Sequence, residues 1–229
     1  TMNELAECAY REKAPLRLVG SLTEQEHAQP IADKLLRLPC IHEVTLPSDT
    51  SHTLRIPSLL RSIDTIAESR PDKIVISTPG PVGLTGLLAA RLIGVPCIGI
   101  YHTDFAKQTE DFTGDRQMID LVNQYVNWFY ARMDEIHVPS RYYMTQLADQ
   151  GHDQSRMRLF RRGLDDSFMR VSEAHLRRAK AQWFRKDMPT LLYSGRLGKD
   201  KNLGFLADFF KRLRAGNIEA RLLFAGEGP

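Results

Sequence analysis

Short apolar runs alternate with longer amphipathic stretches along this chain. The runs have the length of buried strands and the stretches have helical spacing, an order typical of a parallel α/β sheet covered by helices on both faces. The clearest helical stripe lies within residues 118–133, where apolar side chains recur at every third or fourth position. The predicted strands comprise residues 16–19, 41–46, 73–77, 97–101, 135–138, 158–161, 190–194 and 221–225.

A charged helical segment at 172–184 separates one series of strands and helices from a new one. Only a strand, a helix and a strand follow it, and these cannot close a core of their own. We therefore expect residues 1–187 to form one domain and residues 188–229 to begin a second domain that continues in a longer protein. The stretch 48–56 is polar and rich in Ser and Thr, and it is predicted to be a loop.

Composition and charge exclude several classes of protein. The chain is 42% hydrophobic and 26% charged, which is typical of a globular protein, and its net charge of +3 is too small for a dedicated nucleic-acid binder. Cys8, Cys40 and Cys97 form no CxxC pair, which argues against a structural zinc site and a disulfide framework. Neither a signal peptide nor a membrane-spanning run is found, so we expect a cytoplasmic protein.

The turn at residues 194–202 carries the strongest chemical signal. It follows the apolar run 190–193 and precedes apolar residues at helical spacing, so it joins a strand to a helix N-terminus. Gly195 lets the backbone approach a ligand, Arg196 and Lys201 supply positive charge, and the amides of a helix N-terminus favour anions. The segment therefore predicts a diphosphate site, although an ion-paired surface turn would explain the same residues.

A second group of polar residues, His102, Thr103 and Asp104, directly follows the predicted strand 97–101. Ligands of open parallel sheets bind beyond the carboxyl ends of the strands, where an imidazole, a hydroxyl and a carboxylate could orient sugar hydroxyls or exchange a proton. Alternatively, His102 satisfies backbone groups and its neighbours cap the next segment. The glycines of the turn at 77–86 do not match GxGxxG, and we expect them to serve helix–strand packing.

Five segments, which follow one another along the chain, carry a family resemblance. They are Tyr101-His102-Thr103-Asp104-Phe105, Val138-Pro139-Ser140, Arg162-Gly163-Leu164-Asp165 through Phe168, Gly195-Arg196-Leu197 with Lys201-Asn202, and Gly226-Glu227-Gly228-Pro229. With these segments the chain resembles the group-1 family of retaining glycosyltransferases, the GT4 class, and especially its mannosyl- and glucosyltransferase-like branch, over roughly residues 71–229. No clear glycine-rich turn opens the chain, and the glutamate motif of the family would lie beyond residue 229.

The resemblance implies a GT-B architecture, in which two Rossmann-like domains hold a nucleotide sugar between them. Residues 1–187 would be the first domain, incomplete at its start, and 188–229 the beginning of the second. Arg196 and Lys201, with Gly195, would hold the donor diphosphate, and His102 would be the catalytic-site residue beside the transferred sugar. Neither a catalytic metal nor a cofactor is implied. Further substrate contacts are expected from Thr103, Asp104, Gly226 and Glu227.

The expected reaction is transfer of a hexose, with retention, from a UDP- or GDP-sugar to a hydroxyl of a lipid, glycan or small molecule. We expect the 229-residue chain alone to have little or no activity. Two other interpretations stay open: a nucleotide-sugar epimerase, and a non-catalytic nucleotide-binding or regulatory module of the same fold. Peripheral membrane contact at the inner face is also left open for the charged helix around Arg177, Arg178, Lys180, Arg185 and Lys186.

Overall fold

The computed structural model describes residues 10–21, 34–46, 49–160, 170–184, 188–198 and 201–228. Within these residues strands and helices largely alternate along the chain. The strands are β1 (Leu18–Gly20), β2 (Leu35–Arg37), β3 (Cys40–Leu46), β4 (Asp49–Pro57), β5 (Ile74–Ile76), β6 (Cys97–Ile100), β7 (Glu135–Val138), β8 (Met157–Leu159), β9 (Thr190–Ser194) and β10 (Arg221–Ala225). The helices are α1 (Leu59–Glu68), α2 (Pro81–Ile93), α3 (Phe105–Thr113), α4 (Arg116–Tyr130), α5 (Arg141–Asp149), α6 (Glu173–Trp183) and α7 (Leu203–Ala215).

The described residues form two compact units. One unit contains those up to residue 105 together with 120–160, and the other contains 106–119 together with those from 170 to 228. The domain boundary predicted between residues 187 and 188 stays a prediction. The two units are defined by compactness, and neither is a continuous stretch of chain, so they do not test that boundary. No helix in the described part of the chain combines the length and apolarity needed to cross a bilayer.

A four-stranded parallel sheet, in the order β5-β6-β7-β8, organises the first unit. The predicted parallel α/β class is therefore confirmed, and β7 has the predicted bounds. The main core of this unit consists of buried side chains, and full burial of a Val, Leu, Ile, Phe or Met side chain stabilises the fold by about 1.5–3 kcal/mol. Core residues with 0% exposure include Cys97, Phe129, Met133, Ile136 and Val138.

Asp134 fixes the start of β6 against β7. Its Oδ2 accepts a hydrogen bond of 2.7 Å from the Cys97 amide, and both carboxylate oxygens lie 3.3 Å from Nη1 of Arg91. Arg91 also donates to the carbonyl of Arg132 in the same loop. These contacts align the two central strands, and with them the residues that follow their carboxyl ends.

The prediction of a loop at 48–56 is wrong. From residue 49 this stretch forms β4, which pairs antiparallel with β3. Ile41 and Val44 on β3 and Leu54 on β4 are exposed, so this hairpin lacks the continuous apolar run of a strand that is covered on both faces. The strand β2, which pairs parallel with β1, was not predicted because only two apolar residues, Leu35 and Leu36, lie between Lys34 and Arg37.

In the second unit, β9 and β10 pair in parallel and in register from Thr190–Arg221 to Ser194–Ala225. Both strands have the predicted bounds, since each is a short apolar run. The helix α7 connects them, and its first residue, Leu203, follows the candidate turn directly. The unit thus presents a strand–turn–helix–strand segment whose turn holds the predicted cations.

Candidate functional site

The chain segments that follow β9 and β10 continue side by side. The amide of Gly195 donates to the carbonyl of Ala225 at 3.0 Å, and the amide of Leu197 donates to the carbonyl of Glu227 at 2.8 Å. The hydroxyl of Tyr193 donates to the carbonyl of Arg196 at 2.8 Å. The structure therefore brings Gly195, Arg196 and Glu227 together in one pair of loops.

Glycine is required where these loops touch. A Cβ on Gly226 would lie 1.9 Å from the carbonyl oxygen of Gly195, and a Cβ on Gly228 would lie 2.0 Å from that of Leu197. Gly195 itself has φ +154°, a conformation that other residues rarely adopt. The Gly-Glu-Gly segment thus shapes the loop that carries Arg196.

The helix α7 begins without a side-chain cap from its first flanking residue. Asn202 occupies the N-cap position in the left-handed region (φ 48°, ψ 44°), and its side chain makes no capping hydrogen bond. The first amides of a helix carry partial positive charge and bind anions well. Arg196 is half-buried and Lys201 is exposed. Cations and amides of this kind can bind a diphosphate. Asp200, the acidic residue of the same turn, lies outside the described residues.

The three polar residues of the other candidate group follow β6 as predicted. His102, Thr103 and Asp104 are each half-buried and connect β6 to α3. Asp104 Oδ2 accepts a hydrogen bond of 3.4 Å from Nε2 of Gln146 on α5. The preceding Tyr101 is buried, and this burial raises the pKa of its phenol, with smaller contributions from Asp104 and Tyr143.

One glycine of the turn between β5 and α2, Gly83, allows the helix to pack closely against the strand. A Cβ on Gly83 would lie 1.9 Å from the carbonyl oxygen of Thr78 and 2.9 Å from a side-chain carbon of Ile76. On the same turn, the carbonyl of Pro79 accepts a hydrogen bond of 2.6 Å from the Tyr125 hydroxyl. The sequence interpretation of close helix–strand packing therefore holds at Gly83.

The candidate residues form two groups, one in each compact unit. His102, Thr103 and Asp104 lie at the end of β6, whereas Gly195, Arg196, Lys201, Gly226 and Glu227 belong to the turns after β9 and β10. The motif 162–165 lies outside the described residues. Among the residues that the structure describes, no three His, Cys, Asp or Glu side chains come together as a metal site.

Two contributors were missed from the sequence. Gly228 was quoted within a motif but given no role, although a second glycine two positions after Gly226 was a visible signal. Tyr193 hydrogen-bonds the Arg196 carbonyl, and nothing in the sequence distinguishes it from an ordinary strand tyrosine. Both contact the backbone of the loop that carries Arg196.

Comparison with known proteins gives a consistent family signal. The family model of Glycosyltransferase Family 4 matches residues 3–168. A GDP-mannose-dependent alpha-mannosyltransferase of Mycolicibacterium smegmatis is 29% identical over 205 residues, which cover 87% of this chain and 52% of that protein. The sulfoquinovosyl transferase SQD2 of Arabidopsis thaliana is 26% identical over 196 residues, 83% of this chain and 36% of that protein. The chain thus spans about half or less of the length of these relatives.

Solved structures show a similar fold at low sequence identity. The crystal structure of Anabaena Alr3699/HepE in complex with UDP and glucose gives a TM-score of 0.51 at 13% identity, over 74% of this chain and 51% of that one. The same protein in complex with UDP gives a TM-score of 0.51 at 14% identity.

Proposed function

The chain belongs to Glycosyltransferase Family 4, and we propose that its protein transfers a hexose from a UDP- or GDP-sugar to an acceptor hydroxyl. The observation that carries the proposal is the family match over residues 3–168, together with a relative named as a GDP-mannose-dependent alpha-mannosyltransferase. A solved structure of similar fold holds UDP and glucose, which supports a nucleotide-sugar donor.

The donor diphosphate would be bound by the turn after β9. Gly195 lets the backbone approach the ligand, Arg196 can donate two parallel hydrogen bonds to phosphate oxygens, and Lys201 adds a second cation at the start of α7. Negative charge grows on the diphosphate as the sugar leaves. Cations that are already in place stabilise this charge more in the transition state than in the bound donor, which accelerates transfer.

The transferred sugar would lie against the segment after β6. There His102 would be the catalytic-site residue, and Thr103 and Asp104 would orient hydroxyl groups of the sugar or the acceptor. Gly226 and Glu227 are proposed as further substrate contacts. The backbone pairing of Leu197 with Glu227 supports this role, because it keeps residue 227 beside the loop that bears Arg196.

We further propose that transfer proceeds with retention and without a metal or another cofactor. In this scheme Arg196 and Lys201 offset the diphosphate charge that a divalent cation would otherwise offset. Activity should therefore survive an excess of EDTA, and proton NMR of the product should show the anomeric configuration of the donor sugar. Loss of activity in EDTA that magnesium restores would contradict metal independence.

The acceptor hydroxyl is proposed to belong to a lipid, a glycan or a small molecule on the cytoplasmic side of the membrane. The helix α6 supports peripheral contact, since Arg177, Arg178 and Lys180 lie on the same helix as the exposed apolar residues Leu176 and Trp183. Sedimentation with vesicles of acidic and of neutral phospholipid would test this. Equal binding to both kinds of vesicle would contradict an electrostatic contact.

The deciding experiment measures sugar transfer by the naturally encoded protein that contains this sequence. GDP-mannose and UDP-glucose labelled in the sugar are incubated with the protein and with extracted acceptors, and both transferred label and released nucleotide are followed. Transfer that depends on Arg196 and Lys201 supports the proposal. Isomerised sugar in the absence of an acceptor would indicate an epimerase, and a protein that binds no nucleotide would indicate a regulatory module.

A further inference from the structure

The segment that carries His102 begins, at the end of β6, beside a cluster of three tyrosine rings. The ring of Tyr101 meets the ring of Tyr130 edge-on, with centroids 5.1 Å apart, and lies 5.6 Å from the ring of Tyr143. Tyr101 is 3% exposed and Tyr130 is 1% exposed. The residue directly before His102 is therefore held in the core by two tyrosines, one from α4 and one from α5.

Gly99 makes room for this arrangement. A Cβ at Gly99 would lie 3.1 Å from the Cδ1 and Cε1 atoms of the Tyr130 ring and 2.8 Å from Cγ of Met133. Such distances are shorter than ordinary van der Waals contact. The Tyr130 ring thus lies directly on the backbone of β6, in space that a side chain at residue 99 would occupy.

The Tyr130 hydroxyl holds the last peptide of β6. It donates a hydrogen bond of 3.0 Å to the carbonyl of Ile100. On the β5 side the register ends at the Ile76–Gly99 pair, so Ile100 lies one residue beyond the part of β6 that β5 supports. The other neighbour, β7, pairs His137 with Ile100 and accepts a hydrogen bond from the Tyr101 amide at 2.8 Å. The phenol therefore stabilises the strand end where one neighbouring strand has stopped.

The far end of the same segment is tied by α5. Nε2 of Gln146 donates to Asp104 Oδ2 at 3.4 Å. His102 lies between this contact and the Tyr130–Ile100 hydrogen bond, two residues from each anchor. These two contacts therefore restrain the backbone on both sides of His102.

We propose that Tyr130 is a positioning residue for His102, acting through the Ile100 carbonyl. The inference rests on the proposed function for its kinetic consequence, but its structural part stands on the contacts above. A displacement of about 1 Å at a catalytic group can cost up to about 100-fold in rate. Because only one of two anchors is lost, removal of the Tyr130 hydroxyl should lower kcat by about tenfold while the KM for the donor changes by less than about twofold.

The test compares Tyr130→Phe with Tyr125→Phe. Both variants remove one hydroxyl from α4, and each lost hydroxyl donates to a backbone carbonyl, that of Ile100 or that of Pro79. Steady-state kinetics on the naturally encoded protein give kcat and the donor KM. In parallel, NMR of the same protein follows the His102 ring resonance, assigned with His102→Gln. We expect Tyr130→Phe, and not Tyr125→Phe, to lower kcat and to move this resonance.

Tyr130→Phe with an unmoved His102 resonance, or with the same kcat as Tyr125→Phe, would overturn the proposal. If the wild-type protein transfers no sugar, the proposed function fails while the resonance still decides whether Tyr130 positions His102. If Tyr130→Phe does not fold, Tyr130→3-fluorotyrosine replaces it, because this residue keeps the ring and the hydroxyl but donates a stronger hydrogen bond to the Ile100 carbonyl. Tyr130→3-fluorotyrosine should likewise move the His102 resonance, and an unmoved one would overturn the proposal.

Discussion

A Cβ on Gly226 would lie 1.9 Å from the carbonyl oxygen of Gly195, so the loops after β9 and β10 can run together only while residue 226 is glycine. The same holds for Gly228, whose Cβ would lie 2.0 Å from the Leu197 carbonyl oxygen. In both cases the obstacle is backbone, which cannot move aside as a flexible side chain can. These glycines therefore belong to the construction of the proposed diphosphate site.

Gly226→Ala should destabilise the second unit by about 1–3 kcal/mol, since the new methyl group forces the loops apart. Urea denaturation measures the loss, and hydrogen exchange at the Gly195 and Leu197 amides should accelerate, because both donate across the loop pair. Gly204→Ala is the matched control. Open space surrounds residue 204 on α7, and alanine there should stabilise the helix by up to about 1 kcal/mol. Equal stability of the two variants would contradict the role of close approach.

Arg196→Ala should weaken binding of UDP and GDP by about ten- to hundredfold, because a charged hydrogen bond contributes about 1.5–3 kcal/mol. Isothermal titration calorimetry measures this affinity, and binding of the corresponding nucleosides should not change, since they lack phosphate. Arg212→Ala removes an exposed arginine from the last turn of α7 and serves as the control. An equal loss for a nucleoside and its diphosphate would show that Arg196 does not act on phosphate.

The apolar runs predicted most of the parallel sheets and missed the hairpin. Glu135–Val138, Thr190–Ser194 and Arg221–Ala225 have the predicted bounds, and the α/β class of the GT-B glycosyltransferases is confirmed. Such strands are apolar throughout, so sequence alone delimits them. The hairpin β3–β4 has exposed side chains and no such run, and its second strand was therefore missed.

The sequence predicted where the candidate site residues lie in the fold, but not which contacts hold them in place. A polar motif that directly follows an apolar run must lie at a strand end, and His102 does. Which helix residue reaches that strand end depends on how α4 packs, so the bond from Tyr130 to Ile100 has no sequence signature. The one signal in the sequence is Gly99, because a glycine inside a strand often marks a place where another group packs against the backbone. The roles of His102 and Arg196 stay predictions that binding and kinetics can test.

Cys40 should react with thiol reagents in the native protein, whereas Cys97 should not. Cys40 is exposed; Cys97 is fully buried, and that burial raises the pKa of its thiol to about 11. At pH 8 only about one thousandth of such a thiol would be thiolate, the reactive form. In a Cys8→Ser variant, which removes the cysteine outside the described residues, Ellman's reagent should modify one thiol before unfolding and a second one only in denaturant. Rapid modification of both native thiols would contradict the buried position of Cys97.

His152 should make the protein less stable as the pH falls below neutrality. Burial, and then the nearby cation of Arg156, hold the pKa of its imidazole below the ordinary value of 6.5. Its Nε2 lies 3.1 Å from Oδ1 of Asn127, to which the ring nitrogen donates a hydrogen bond. As the pH falls through 6.5, His152 becomes protonated in the unfolded chain while it is still neutral in the folded chain. The contribution of His152 to the free energy of unfolding is therefore fully present above this pH and declines below it.

Urea denaturation between pH 7.5 and pH 5 tests this with His152→Gln, which keeps hydrogen-bonding groups near Asn127 but cannot titrate. The wild-type protein should lose stability more steeply than this variant as the pH falls. All other titrating groups are shared, so the difference between the profiles isolates residue 152. Parallel profiles for the wild type and His152→Gln would show that the imidazole takes up its proton equally in both states.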